Sequence, residues 1–202
     1  MSYIIDSYSE SNYVDWYVQF SETARKYFYQ SFTGDGGTLN SAKWYLEKSS
    51  TGSPTGNVYA KIYAHTGTYG TSSEPTGSVL ATSDAVDVST INTSYELVTF
   101  TFSGGDKITL TNGTHYCLIV EWVWDSGILN VGFDGNSPTH DGNEGTKYNE
   151  TIYSGDDDFI FYVYGDEMSS DIKKISGVAQ ASIKKVAGVA IASVKEVAGV
   201  SN

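Results

Sequence analysis

The run from His115 to Trp124, H-Y-C-L-I-V-E-W-V-W, is apolar on both of its alternating faces. Successive side chains of an extended strand point to opposite sides. Tyr116, Leu118, Val120, Trp122 and Trp124 therefore share one face, and Cys117, Ile119 and Val123 the other, with only His115 and Glu121 polar. Such a strand needs cover on both sides, which predicts the central strand of a β core. Cys117 falls in its middle and is the single cysteine, so an intramolecular disulfide is excluded and a buried, inert thiol is expected.

The flanking segments repeat the pattern with one wet face. Residues 13–20 place Val14, Trp16, Val18 and Phe20 together, and residues 57–65 place Val58, Ala60, Ile62 and Ala64 inward against Tyr59, Lys61, Tyr63 and His65 outward. His65 is thus expected in solvent, at the start of a long loop running to Ser78. Further alternation marks residues 25–33, 95–102, 128–133 and 158–164. Gly34-Asp35-Gly36-Gly37, Gly52-Ser53-Pro54-Thr55-Gly56 and Asn112-Gly113 supply turns between strands. About ten short strands with turns between them, and no helix of useful length, predict an all-β fold: a two-sheet antiparallel β-sandwich of the jelly-roll kind over residues 1–168.

Three stretches, Q-S-F-T-G-D-G-G-T-L-N-S-A-K-W-Y-L (30–46), G-S-P-T-G-N-V-Y-A-K-I-Y-A-H (52–65) and S-Y-E-L-V-T-F-T-F-S-G-G-D-K-I-T-L-T-N-G-T-H-Y-C-L-I-V (94–120), resemble jelly-roll surface domains. Domains of that class occur in bacterial surface proteins and phage virion proteins. The resemblance spans residues 10–165 and lies in core and turn positions, so it implies a fold and no catalytic set.

Residues 169–202 are a different object. I-K-K-I-S-G-V-A-Q-A-S (172–182), I-K-K-V-A-G-V-A-I-A-S (183–193) and V-K-E-V-A-G-V-S-N (194–202) form an 11-residue repeat with Gly177, Gly188 and Gly199 in register. An 11-residue period suits a right-handed helical coiled coil. Mid-helix glycine costs about 1 kcal/mol, however, and Val and Ile favour strands, so short strands joined at Ser-Gly or Ala-Gly turns are preferred. Ile172, Ile175, Ile183, Val186, Ile191, Val194 and Val197 present an apolar side too short to bury itself, which marks an attachment or oligomerisation surface. The segment resembles the short K-x-x-G-V repeats of phage structural proteins, which implies docking on other virion proteins and a homo-oligomer, with a trimer as first expectation.

Charge separates the two parts. The chain carries -12 in all; residues 172–202 hold five Lys and one Glu, a net of +4, so residues 1–171 carry -12 minus +4, which is -16. That excess opposes a nucleic-acid partner, because phosphate contacts need Lys and Arg. No run of about 18 apolar residues crosses a membrane. The first residues, M-S-Y-I-I-D-S-Y-S-E, lack the basic and apolar regions of a signal peptide. A Gly-, Ser-, Thr- and Tyr-rich surface-type domain without that signal fits a virion released by lysis, with the virion surface as its expected location. The alternative is a cellular extracellular adhesin or carbohydrate-binding module whose signal has been removed.

Catalytic motifs are missing: there is no H-E-x-x-H, G-x-S-x-G, P-loop or Cys-His metal spacing, so a non-enzymatic protein is expected. Asp134, Asn136, Asp141, Asn143 and Glu144 crowd one loop with oxygen donors of the type calcium takes, though not at EF-hand spacing, so calcium is the one cofactor considered. Tyr59, Tyr63, Tyr69 and Tyr148 are the candidate stacking residues for a host glycan.

Overall fold

In the computed structural model of the chain, the doubly apolar run lies in a strand that is paired along both edges. The structure describes residues 2–14, 16–20 and 25–166, together with four two-residue segments of the C-terminal repeat. In chain order the strands up to residue 166 are β1 (Ser2–Tyr8), β2 (Trp16–Gln19), β3 (Arg25–Thr33), β4 (Thr38–Lys48), β5 (Thr55–Thr66), β6 (Glu74–Thr82) and β7 (Val86–Asp87). They continue with β8 (Glu96–Thr101), β9 (His115–Ser126), β10 (Leu129–Asp134), β11 (Glu144–Tyr148), β12 (Thr151–Ser154), β13 (Asp158–Phe159) and β14 (Phe161–Asp166).

Among the described residues these form two antiparallel sheets of seven strands each. The first is built on β4, whose Trp44 pairs with Val98 of β8 on one edge and Phe161 of β14 on the other. Past Trp44 that second edge passes to β10, at Leu46 to Lys48, while β1 extends β14 and β2 extends β10. The second sheet runs β12-β11-β3-β9-β5-β6, with β7 beside β5.

The parity of β4 is broken, since Leu39 is odd and Ala42, Trp44 and Leu46 even, yet all four are buried. A bulge reconciles them: the register against β14 jumps from Ser41 to Leu39, skipping Asn40. Asn40 then uses its carbonyl to accept from the Phe102 N–H (2.9 Å) and its Nδ2 to donate to Asp166 (2.6 Å).

One buried cluster draws Trp44, Phe100, Val131 and Phe161 from the first sheet and Phe28, Ile62, Leu118 and Trp122 from the second. The two sheets thus close on a common apolar core, as a β-sandwich requires. The other face of β9 is buried as well. Cys117 and Ile119 pack with Tyr29, flanked by Tyr27, Tyr63 and Ile152, and burial together with Glu74 pushes the Cys117 thiol up. The Tyr29 hydroxyl donates to the Ser73 carbonyl (2.8 Å), ahead of β6, and lies 3.3 Å from that of Tyr153 on β12. The sheet is therefore curled enough for one side chain to reach both of its edges.

Several expectations are corrected. Val14 is exposed and precedes β2, and Val123 is 58% exposed although β9 runs through it, because the cover over that face ends near Ile119. The expected long loop from His65 to Ser78 contracts to residues 67–73, since β5 and β6 continue their ladder to Thr66 and Glu74. Residues 2–8, assigned no element from sequence, form an edge strand on β14. His65 is half-buried rather than solvated.

The chain divides into two units, Met1–Glu167 and Met168–Asn202. In the second, β15 (Lys174–Ile175) pairs antiparallel with β16 (Val178–Ala179), and β17 (Lys185–Val186) with β18 (Val189–Ala190). The second ladder repeats the first one period on, from 174 to 185. Ile175 and Val186 lie in these ladders; Ile172, Ile183, Ile191, Val194 and Val197 lie outside the described residues.

Candidate functional site

At one end of the sandwich five segments meet around a groove of about 790 Å³. β1 brings Asp6 and Tyr8, the β3–β4 turn Asp35, the β5–β6 loop Tyr69, the turn before β9 Asn112, and the β10–β11 loop His140 and Asp141. The two turns are laced together: Gly34 N–H donates to Thr114 O (2.9 Å), Gly36 N–H to Leu110 O (2.7 Å) and Gly113 N–H to Gly34 O (2.8 Å). Gly36 and Gly113 take φ of 94° and 74°, the left-handed region that their turn requires and that glycine enters without strain.

His140 anchors one wall, with only 8% of its side chain exposed. The Gly142 N–H donates to its Nδ1 (3.0 Å), which places the neutral ring's proton on Nε2, where it meets Asp6 Oδ1 at 3.1 Å. Asp6 also accepts from the N–H groups of Ser7 (2.8 Å) and Thr33 (2.9 Å). Behind the ring, fully buried Gln30 donates to Asp158 (2.8 Å) and accepts from the Phe159 N–H (2.9 Å), and the His140 N–H donates to Asp158 (2.8 Å). Burial pushes the Asp158 carboxyl up to about 6 against the pull of those donors.

Tyr69 forms the opposite wall. Its ring lies flat on that of His115, 3.8 Å between centroids and 9° from parallel, and His65 meets both edge-on. The Thr33 hydroxyl stands 3.2 Å from the Tyr69 hydroxyl and 3.1 Å from His115 Nδ1. Burial raises Tyr69 to about 12, so it presents a neutral phenol, and burial with the neighbouring His115 lowers His65, which favours its uncharged ring.

Of the four tyrosines singled out from sequence, only Tyr69 lines this groove. Tyr148 and Tyr153 flank a separate depression of about 400 Å³ with Arg25 and Thr146. Tyr63 packs beside Tyr29, and Tyr59 pairs with Glu121 on β9, next to the Lys61–Glu121 ion pair. The four do not form one platform. Asp6, Tyr8, Asp35, Asn112 and His140 were missed; Asp35 and Asn112 sit in turns that sequence identified, but no local pattern says that those turns adjoin.

Of the five calcium candidates, Asp134 and Asn143 are engaged by protein donors. Asp134 is buried; burial pushes its carboxyl up, but the Asn136 N–H, the Tyr8 hydroxyl and the Ser137 N–H together hold it below the usual range. Asn143 is buried too, its Oδ1 accepting from Ser73 N–H (3.1 Å) and its Nδ2 donating to Glu144 O (3.0 Å). Asn136 and Asp141 are exposed. Among the described residues no three His, Cys, Asp or Glu side chains converge as a metal site. Glu144 is pushed up to about 8 by burial and by Asp157, Asp158 and Asp156, with Arg25 the opposing influence.

Comparison with protein-family models, curated proteins and solved structures finds no match to this chain.

Proposed function

We propose that this chain is a non-enzymatic structural protein of a phage virion, of the capsid-decoration or fibre type. Its jelly-roll head binds a host-surface glycan, and its C-terminal repeats attach it to other virion proteins and to sister chains, as a trimer in the first instance. The observation that carries the reading is the division at residue 167 between a unit that closes two sheets on its own core and a tail whose two ladders recur with the sequence repeat. A self-sufficient domain joined to a short apolar repeat is the build of a displayed module and its anchor. The head's excess of negative charge and the tail's net positive charge suit different neighbours, and an acidic dock on the particle would complement the tail.

The groove supports the binding part of the reading: it is concave, polar and bordered by an aromatic ring, and Asp6 fixes its largely buried histidine in place. Deleting residues 169–202 tests the anchor. The truncated head is expected to fold with a β circular dichroism spectrum and one cooperative thermal transition, and to be lost from particles and from the oligomer. Full occupancy of the truncated protein on particles would move attachment to the sandwich and overturn the role given to the repeats.

A further inference from the structure

The geometry points to an uncharged saccharide as the ligand of the groove, with glycans bearing carboxylates or phosphates turned away. This rests on the reading of the head as a glycan binder and adds the chemical class and the residues that select it.

Charge comes first. Among the described residues the groove is lined by Asp6, Asp35 and Asp141 and by no Lys or Arg. Among the described lining residues His140 turns its Nε2 to Asp6 (3.1 Å), and Asp158 lies 4.0 Å from its Nδ1. Asp134 stands behind Tyr8, bonded to its hydroxyl at 2.8 Å. An anionic ligand would lose its water and meet only like charge, which is discrimination by repulsion. A cationic ligand fits less well than the count of carboxylates implies. Asp6 already accepts from two backbone N–H groups and His140, and Asp134 from two N–H groups and a hydroxyl. Those bonds leave the negative charge in place but occupy the oxygens that a cation would need, and Asp35 and Asp141 stand as the exposed carboxylates of the groove.

Shape and hydrogen bonding select the saccharide. Tyr69 is immobilised by its stack on His115, so a pyranose C–H face can lie on the groove side of the ring at little further entropic cost. Sugar hydroxyls donate to Asp141 and Asp35 in charge-assisted bonds and exchange both donors and acceptors with the exposed amide of Asn112. The volume of about 790 Å³ falls among small-ligand sites.

The test uses the full chain on an array of matched oligosaccharides that differ only in carrying or lacking a carboxylate or phosphate group. Neutral members are expected to bind at least about tenfold tighter than their acidic partners at low salt. Tyr69→Ala should abolish binding, while Asp141→Asn, whose amide oxygen still accepts from a sugar hydroxyl, weakens neutral ligands several-fold and acidic ones less, so that the gap narrows. Thermal melts accompany each variant; if Tyr69→Ala fails to fold, Asn112→Ala, in an exposed turn, carries the loss-of-binding test instead. Equal or tighter binding of acidic glycans, or displacement of the neutral glycan by oligolysine, overturns the ligand class. Neutral binding that survives a folded Tyr69→Ala, or Asn112→Ala where that variant stands in, overturns the assignment to this groove while the glycan reading stands. No binding by any member of the array overturns the glycan reading itself.

Discussion

Glu144→Gln isolates the carboxyl whose pKa is pushed furthest among the described residues. Glu144 opens β11 opposite Gln30 of β3, and its carboxyl presses on Gly155, where an added Cβ would lie 2.0 Å from Oε1. Burial and the carboxylates of Asp157, Asp158 and Asp156 push it from 4.5 to about 8, opposed by Arg25. A carboxyl whose folded pKa lies above its unfolded value binds its proton more tightly in the fold. Its stabilising contribution is therefore complete below the unfolded value of 4.5 and is lost as pH rises to the folded value of about 8. At about 1.36 kcal/mol per pH unit, holding that proton costs about 3 kcal/mol at pH 7, and the full span costs about 5 kcal/mol by pH 9. Glutamine keeps the shape and carries no charge. Urea denaturation of the full chain should show wild type and Glu144→Gln equal near pH 4, with the variant more stable by about 3 kcal/mol at pH 7 and about 5 kcal/mol at pH 9. Parallel stability curves across that range, or a variant less stable at pH 9, would refute the assignment of a strained buried carboxyl.

Two further outcomes follow from the groove wall and its loop. Gln30→Ala strands the buried Phe159 N–H and removes a donor from Asp158, so a loss of about 3 kcal/mol is expected in the same assay; a loss under about 0.5 kcal/mol would mean that water replaces the side chain. Millimolar calcium against excess chelator should leave the melting temperature unchanged, because Asp134 and Asn143 spend their oxygens on protein donors. A rise with calcium concentration would show that the loop rearranges to bind the ion.

Asp35 and Asn112 mark the boundary of what local reasoning reaches at the site. Each was recognised as part of a turn, because Gly34-Asp35-Gly36-Gly37 and Asn112-Gly113 carry that chemistry in the residues themselves. That the two turns face each other depends on the pairing of β3 with β9, far apart along the chain. His65 shows the same limit: alternation assigned it correctly to the face opposite Ile62, but not the rings of Tyr69 and His115 that cover it.

What the sequence determined by itself is the apolar face of the plainly alternating strands such as β5, since side-chain direction alternates along a regular strand and transfer from water acts residue by residue. Hence the doubly apolar run at His115 is central in the structure, and Val58, Ala60 and Ile62 turn inward. The tertiary structure alone decided which strands are neighbours, how far the β9 sheet curls, and so which carboxylates and rings share the groove. Those choices rest on contacts between segments distant in sequence: their free energy belongs to pairs of residues and is written in neither partner alone. The bulge at Asn40 joins the two levels, for the parity break is plain in the residues, but only pairing with Tyr164 and Gly165 of β14 decides how the backbone absorbs it.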